Sequence, residues 1–330
     1  MTYFNSATNM DYIYQDMIDA IFAFGSKVKC RCLENTEILA SGFCLTNIRN
    51  RLIFSKKRKI SLPFAIGEFL WYWSGRDDLA TMKYYSKNFD NFSDDGLTLN
   101  SAYGNRIFGA NKDIGFDQLD FVIKKFEEDL YTRHAIIHIK TPQDSLKHTK
   151  DQVCTLDLQF FVRENKLHMI THMRSQDVIW GTPYDAFSFT MFQEILAILL
   201  NVEVGAYTHI CNSFHIYDKF YEKGHNIVDE KNKQYFSMPK MEFVNSDIYS
   251  EDCDLNIICR LERLIRSADA SINASYFIDE IMNCNISMYW KQLTLVLLCK
   301  KFNLPHENFI YELENCNCYK HFLRSESERS

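Results

Sequence analysis

The sequence predicts an α+β fold: a mixed sheet with helices packed on it, followed by a small helical C-terminal extension. Three observations carry this expectation. Strand-like runs cluster in the middle of the chain, long helical patterns flank them, and beyond about residue 226 only helical spacing returns after a polar, irregular stretch. The chain therefore divides into a main domain over residues 1–225 and a helical extension over 226–330.

The elements follow in order. Residues 12–24 place Ile13, Met17, Ile18 and Ile21 at helical spacing. Residues 62–73 are apolar nearly all round, which predicts a buried helix, and Ser74-Gly75 ends it. A third helix is expected over 119–130, with Val122, Phe126 and Leu130 on one face. Strands are expected at 135–139, 155–162 and 167–173, the last two joined by the polar turn Arg163-Glu164-Asn165-Lys166. Residues 187–200 read as a core helix and 207–217 as a further extended segment. From about 222 to 254 the chain is polar and irregular. After it, Leu264, Tyr276, Ile278, Ile281 and the run 288–302 give the helical extension, where Leu293, Val296 and Leu297 read as plain core.

Composition narrows the function classes. With 46% apolar residues over 330 positions and few Gly and Pro (11 and 5), the chain is neither disordered nor fibrous. A formal charge of -6 advertises neither nucleic acid nor an anionic membrane, so an anionic substrate must be met by local arginines. The N-terminus lacks a basic-then-apolar signal pattern, and 62–73 is too short to span a bilayer, which predicts a cytoplasmic protein. Eleven cysteines are scattered without a C-x-x-C pair. Cys30/Cys32 and Cys316/Cys318 read as reduced thiols, and no metal is expected.

Several residues point to chemistry. Glu68 is a carboxylate on an otherwise apolar helix, where burial raises the pKa of an acid and makes it a proton donor or acceptor; its bland role is a wet helix edge. Cys154 stands where the polar loop 142–152 meets a strand, a place that can fix a thiol in a cleft, although a buried structural cysteine is the commoner occupant. Arg174-Ser175, at the end of the neighbouring strand, suits a phosphate with a planar fork and a hydroxyl. Asp185 comes just before the core helix, where its plain role is to cap it. His215 and Tyr217 share one face of a strand.

Read together, GEFLWYWSG at 67–75, SAYGNRIFG at 101–109, TRHAIIHI at 132–139, CTLDLQFFV at 154–162, MRSQDVIWGTPYD at 173–185 and HIY at 215–217 resemble the thymidylate synthase family. That family includes phage deoxycytidylate hydroxymethylases and the nucleotide C5-hydroxymethylases of nucleoside-antibiotic pathways. The resemblance covers about residues 28–220 and makes 1–225 a thymidylate synthase-like catalytic domain. It implies that Cys154 adds to C6 of a pyrimidine nucleoside monophosphate, so that C5 attacks the methylene of 5,10-methylenetetrahydrofolate. By the same resemblance Glu68 is a general acid/base, Tyr103 assists proton removal from C5, and Arg174 and Ser175 bind phosphate. His215 and Tyr217 hold the sugar 3′-hydroxyl, and Asp177 lies near the folate pterin. Phe89 and Phe92 stand where the thymidylate synthases carry folate-contacting tryptophans. The resemblance also implies an obligate homodimer in which Arg133 reaches the partner subunit's phosphate, while His134 replaces the adjacent family arginine.

Thymidylate synthases carry asparagine where this chain has Asp185, and the deoxycytidylate hydroxymethylases resemble it there and in Cys154-Thr155. A carboxylate accepts from the N4 amino group of cytosine but repels O4 of uracil. The expected reaction is therefore C5 hydroxymethylation of dCMP or CMP. The alternatives are methylation of dUMP by a thymidylate synthase and a catalytically inactive nucleotide-binding protein.

Overall fold

Residues 2–30, 32–110, 114–231, 235–269, 271–304 and 317–323 are described by a computed structural model. The chain opens with β1 (Phe4–Ala7), α1 (Met10–Phe24), β2 (Ser26–Cys30) and β3 (Leu33–Leu45). Next come α2 (Leu62–Trp73), α3 (Leu79–Tyr85), α4 (Tyr103–Ile107) and α5 (Gln118–Glu128). β4 (Ile136–His138), β5 (Thr155–Arg163), β6 (Lys166–Met173) and β7 (Gln176–Asp177) lead into α6 (Gly181–Leu199), β8 (Glu203–Tyr217) and α7 (Tyr221–Val228). The last helices are α8 (Asp254–Ser267), α9 (Ala274–Asn283), α10 (Met288–Phe302) and α11 (Asn317–Leu323).

The strands form one mixed sheet in the order β1-β3-β8-β6-β5-β4, with β2 paired to β3 and β7 to β8. β5 and β6 are the expected antiparallel hairpin, and β6 runs parallel to β8. The turn between β5 and β6 works because Glu164 and Asn165 both adopt positive φ. α2 has the expected bounds: Ser61 accepts the N–H of Phe64, Pro63 stands in the first turn, and every other residue of the helix is buried.

Three expectations are corrected. α5 stops at Glu128 because Asp129 turns extended, so Val122 and Phe126 are buried while Leu130 is left 38% exposed. α6 starts at Gly181 rather than 187, which puts Asp185 a full turn inside the helix instead of at its cap. The stretch from 222, expected to be irregular, begins with α7.

The C-terminal helices pack on the elements that carry the candidate site. Tyr85 Oη donates to Glu262 Oε1 of α8 (2.8 Å), and Tyr289 Oη of α10 reaches Met191 Sδ of α6 (3.4 Å). Cys259 Sγ of α8 lies 4.0 Å from the carbonyl of Leu70. α2, which carries the buried Glu68, thus lies against α8, and α3 and α6 are held by the same extension. Among the described residues no helix is long and apolar enough to cross a membrane, and no disulfide joins their cysteines. Cys316 lies outside the described residues.

One buried ion pair pins the loops on either side of α4. The Arg106 guanidinium meets both Asp144 oxygens (2.7 and 2.8 Å) and donates to the carbonyls of Ile139 and Asn100, each at 2.8 Å. Burial alone would raise the Asp144 carboxyl, but Arg106 and the Thr141 N–H hold it at about 2. The stability it contributes is therefore complete above the unfolded carboxylate value and is lost as pH falls toward 2. Asp144→Ala leaves Arg106 buried without its partner, and urea denaturation at pH 7 should show a loss of about 3–5 kcal/mol.

Candidate active site

Cys154 is fixed from three sides. Its carbonyl accepts the N–H of Arg174 (2.9 Å), tying the start of β5 to the end of β6. The Arg174 guanidinium folds back over the same loop, donating to the carbonyls of Val153 (2.7 Å) and Gln152 (2.9 Å) and to Cys154 Sγ (3.3 Å). A guanidinium at that distance favours negative charge on sulfur, and Sγ remains half-buried rather than sealed. Arg174→Ala should slow alkylation of Cys154 by iodoacetamide at pH 7 roughly tenfold, equivalent to about 1.4 kcal/mol.

Glu68, Tyr72, Tyr103 and Asp185 form one interacting cluster, which meets the thiol through Tyr103. Glu68 and Tyr72 are one turn apart on α2 and hydrogen bonded. The Tyr72 ring stacks on Tyr103 (5.2 Å, 23°), and Tyr103 in turn stacks on Phe189 (6.0 Å, 25°). Gly104 permits this approach, because a Cβ there would fall 1.9 Å from the Tyr72 carbonyl oxygen. Tyr103 is also hydrogen bonded to Thr155, the residue after the nucleophile.

This crowding sets protonation. Burial, reinforced by the charge of Asp185 and only partly offset by the Tyr72 hydroxyl, raises the Glu68 carboxyl well above the usual range. Burial, then the charges of Asp185 and Cys154, push the Tyr103 phenol far up, which disfavours negative charge on its oxygen. Asp185 is pushed up to about 6 by burial, against the opposing hydrogen bond of Gln176 (Nε2 to Oδ2, 2.7 Å). Two carboxyls and a phenol, all raised by burial, thus share one cluster with the thiol at its edge, a pattern suited to proton traffic.

The remaining candidates fall into two groups. β7 pairs Gln176 with Phe214 and Asp177 with His215, so Asp177, His215 and Tyr217 lie together; the His215 and Tyr217 rings meet edge-on at 5.0 Å. Asp177 Oδ1 accepts the N–H groups of Ile179 (2.7 Å) and Trp180 (3.2 Å). Ser175 follows Arg174 and is partly exposed. Phe92, Phe89, Phe64 and Tyr184 form a chain of ring contacts at 6.1, 5.9 and 4.5 Å that ends beside Asp185. Arg133 and His134 stand apart, exposed on the loop entering the edge strand β4.

Sequence reasoning missed Tyr72, Gln176 and Arg58. Arg58 donates to the carbonyl of Ile179 (2.7 Å) and lies over the rings of Trp180 (5.1 Å) and Tyr184 (5.6 Å), bracing the turn before α6. Tyr72 follows Glu68 by four residues on a helix, so that pairing was visible in principle. Gln176 and Arg58 act across tertiary contacts that leave no local pattern.

A fold and a site of this kind define a class. The thymidylate synthase family model matches residues 12–258, and the chain belongs to that family. It is 33% identical over 240 residues to the deoxyuridylate hydroxymethyltransferase of Bacillus phage SP01, an alignment covering 70% of this chain and 62% of that protein. It is 24% identical over 196 residues to the thymidylate synthases of Bacillus mojavensis and Bacillus phage phi3T, covering 58% of this chain and 68% of each relative. The chain therefore spans less than two thirds of the length of the hydroxymethyltransferase it matches. The family takes 5,10-methylenetetrahydrofolate as co-substrate. The residues present fit such a group in kind: Phe64, Phe89, Phe92 and Tyr184 make an aromatic run suited to a flat conjugated molecule, and Phe92 at its open end is 46% exposed.

Proposed function

We propose that this protein hydroxymethylates C5 of a cytidine 5′-monophosphate, dCMP or CMP, through a covalent bond between Cys154 and C6. The observation that carries this reading is Asp185. It is not the helix cap it resembled in sequence; its carboxylate is oriented by Gln176, and its charge is felt at both Glu68 and Tyr103, the latter of which also feels Cys154. One oxygen accepts the N4 amino hydrogen of cytosine, and the protonated form donates to N3. The one-carbon unit comes from the folate co-substrate. Glu68, whose carboxyl is raised by burial, supplies the proton that the ring needs as C5 gains electron density. Tyr103 relays the hydrogen leaving C5, and Asp177, Phe89 and Phe92 line the folate side. Arg174 and Ser175 bind the phosphate, and His215 and Tyr217 bind the sugar. The exposed Arg133 completes the phosphate clamp of a second copy, which makes the working form a homodimer, with His134 leaving that clamp one arginine short.

A second reading is hydroxymethylation of a uridylate, favoured by the phage SP01 relative, which is named for deoxyuridylate. C5-hydrogen exchange measured across dCMP, CMP, dUMP and UMP separates the two. Exchange of a cytidylate at least tenfold faster than of its uridylate counterpart is expected, and the reverse order rejects cytosine. Product mass separates hydroxymethyl from methyl.

A further inference from the structure

The mechanism above leaves one carboxylate unused. Asp151 lies three residues before Cys154 and is only partly buried. Its Oδ2 accepts the N–H of Ser101 (2.7 Å), two residues before Tyr103, and the Ser101 hydroxyl also bonds to it. Its bond to Ser101 places it next to the start of α4, which carries Tyr103, and its charge is felt at both Tyr103 and Tyr72. Its bonds to Ser101 tether the loop, but they are not the loop's only anchors. The backbone here is already held by Asn100 Nδ2 on the Asp151 carbonyl (3.0 Å), by Thr149 Oγ1 on the Asp151 N–H (3.0 Å) and by Arg174 on the next two carbonyls. A carboxylate has about four acceptor positions and Ser101 takes two, which leaves capacity for a water. Burial outweighs the Ser101 bonds and the Arg106 charge and raises the carboxyl above its ordinary value, strengthening it as a base.

We propose that Asp151 holds and deprotonates the water that adds to the one-carbon unit at C5, and so commits the reaction to a hydroxymethyl product. This rests on the hydroxymethylase reading above. The water oxygen bonds to the exocyclic carbon of the C5 methylene, its proton passes to Asp151, and the methylene π pair moves into the ring. That pair then re-forms the 5,6 double bond as the C6–Sγ bond breaks and Cys154 leaves as thiolate. No oxidant or reductant is consumed, whereas a methyl product would need a hydride.

The test uses the full chain with Asp151→Asn and Asp151→Ser, both of which still accept from Ser101. Two rates are measured on each: C5-hydrogen exchange with tetrahydrofolate, which lacks the one-carbon unit, and hydroxymethyl product formation with the complete co-substrate. Exchange within about twofold of the native rate, with product formation reduced on the order of 10²-fold, is expected for loss of a general base. Parallel loss of both rates in both variants makes Asp151 a tether, and unchanged product formation removes it from the reaction; either result overturns the proposal. If the native chain itself exchanges no C5 hydrogen, the hydroxymethylase reading fails before any variant is compared.

Discussion

Asp185→Asn should reverse the base preference, with cytidylate exchange falling and uridylate exchange rising by on the order of 10²-fold each, about 2–3 kcal/mol apiece. An amide keeps an oxygen that can accept both Gln176 and N3–H of uracil, and its NH2 donates to O4. Against cytosine the same amide sets a donor against the N4 amino group and leaves N3 without one. The titration of Asp185 adds a second signature. In the free protein the carboxyl stands at about 6, raised by burial. Cytosine binding needs one proton between Asp185 and N3, so above pH 6 each complex takes up a proton and affinity falls up to tenfold per pH unit. Below pH 6 the proton is already present and the dependence vanishes. Isothermal titration in buffers of different ionisation enthalpy measures that uptake directly, and the Asn variant should show none at this site. Proton-independent binding of dCMP by the native chain would remove Asp185 from base reading.

How much of this was legible in sequence depends on the kind of pattern each part leaves. α2 announced itself because twelve residues carry a Pro near the start, a Ser cap and an apolar run broken only by Glu68. β5 and β6 were legible from their alternation and the polar turn between them. β3, the longest strand pairing with β8, was not. Its residues do not alternate cleanly between buried and exposed, and Ala40 at φ 50 interrupts it, so period-2 reading fails. The candidate site was legible only in combination: Cys154, Glu68 and Arg174 each have a plainer structural role taken singly, and became candidates through the motifs they stand in together. The placement of Asp185 was misread because Gly181 and Pro183 look like a break, yet Pro is tolerated in the first turn of a helix and α6 starts there. Gln176 and Asp151 gain their meaning only when β7 meets α6 and the nucleophile loop meets α4.

Cys154→Ser should abolish covalent capture of a 5-fluoropyrimidine nucleotide in the presence of folate and lower turnover by at least about 10⁴-fold, while nucleotide binding stays within a few-fold. The hydroxyl of serine is far less acidic than a thiol, so it is not ionised at neutral pH and is a much weaker nucleophile there. The Arg174 guanidinium, 3.3 Å from Sγ, can stabilise a thiolate but cannot remove a proton from an alcohol. Nor can another thiol substitute. Cys211 also feels the charges of Cys154 and Arg174, but burial pushes its thiol up to about 12, and its Sγ is engaged with the carbonyl of Ser213 (3.2 Å). Mass mapping of the native adduct should therefore find the nucleotide on the peptide containing Cys154 alone. An adduct on Cys211, or one that survives Cys154→Ser, would remove Cys154 from the role of nucleophile.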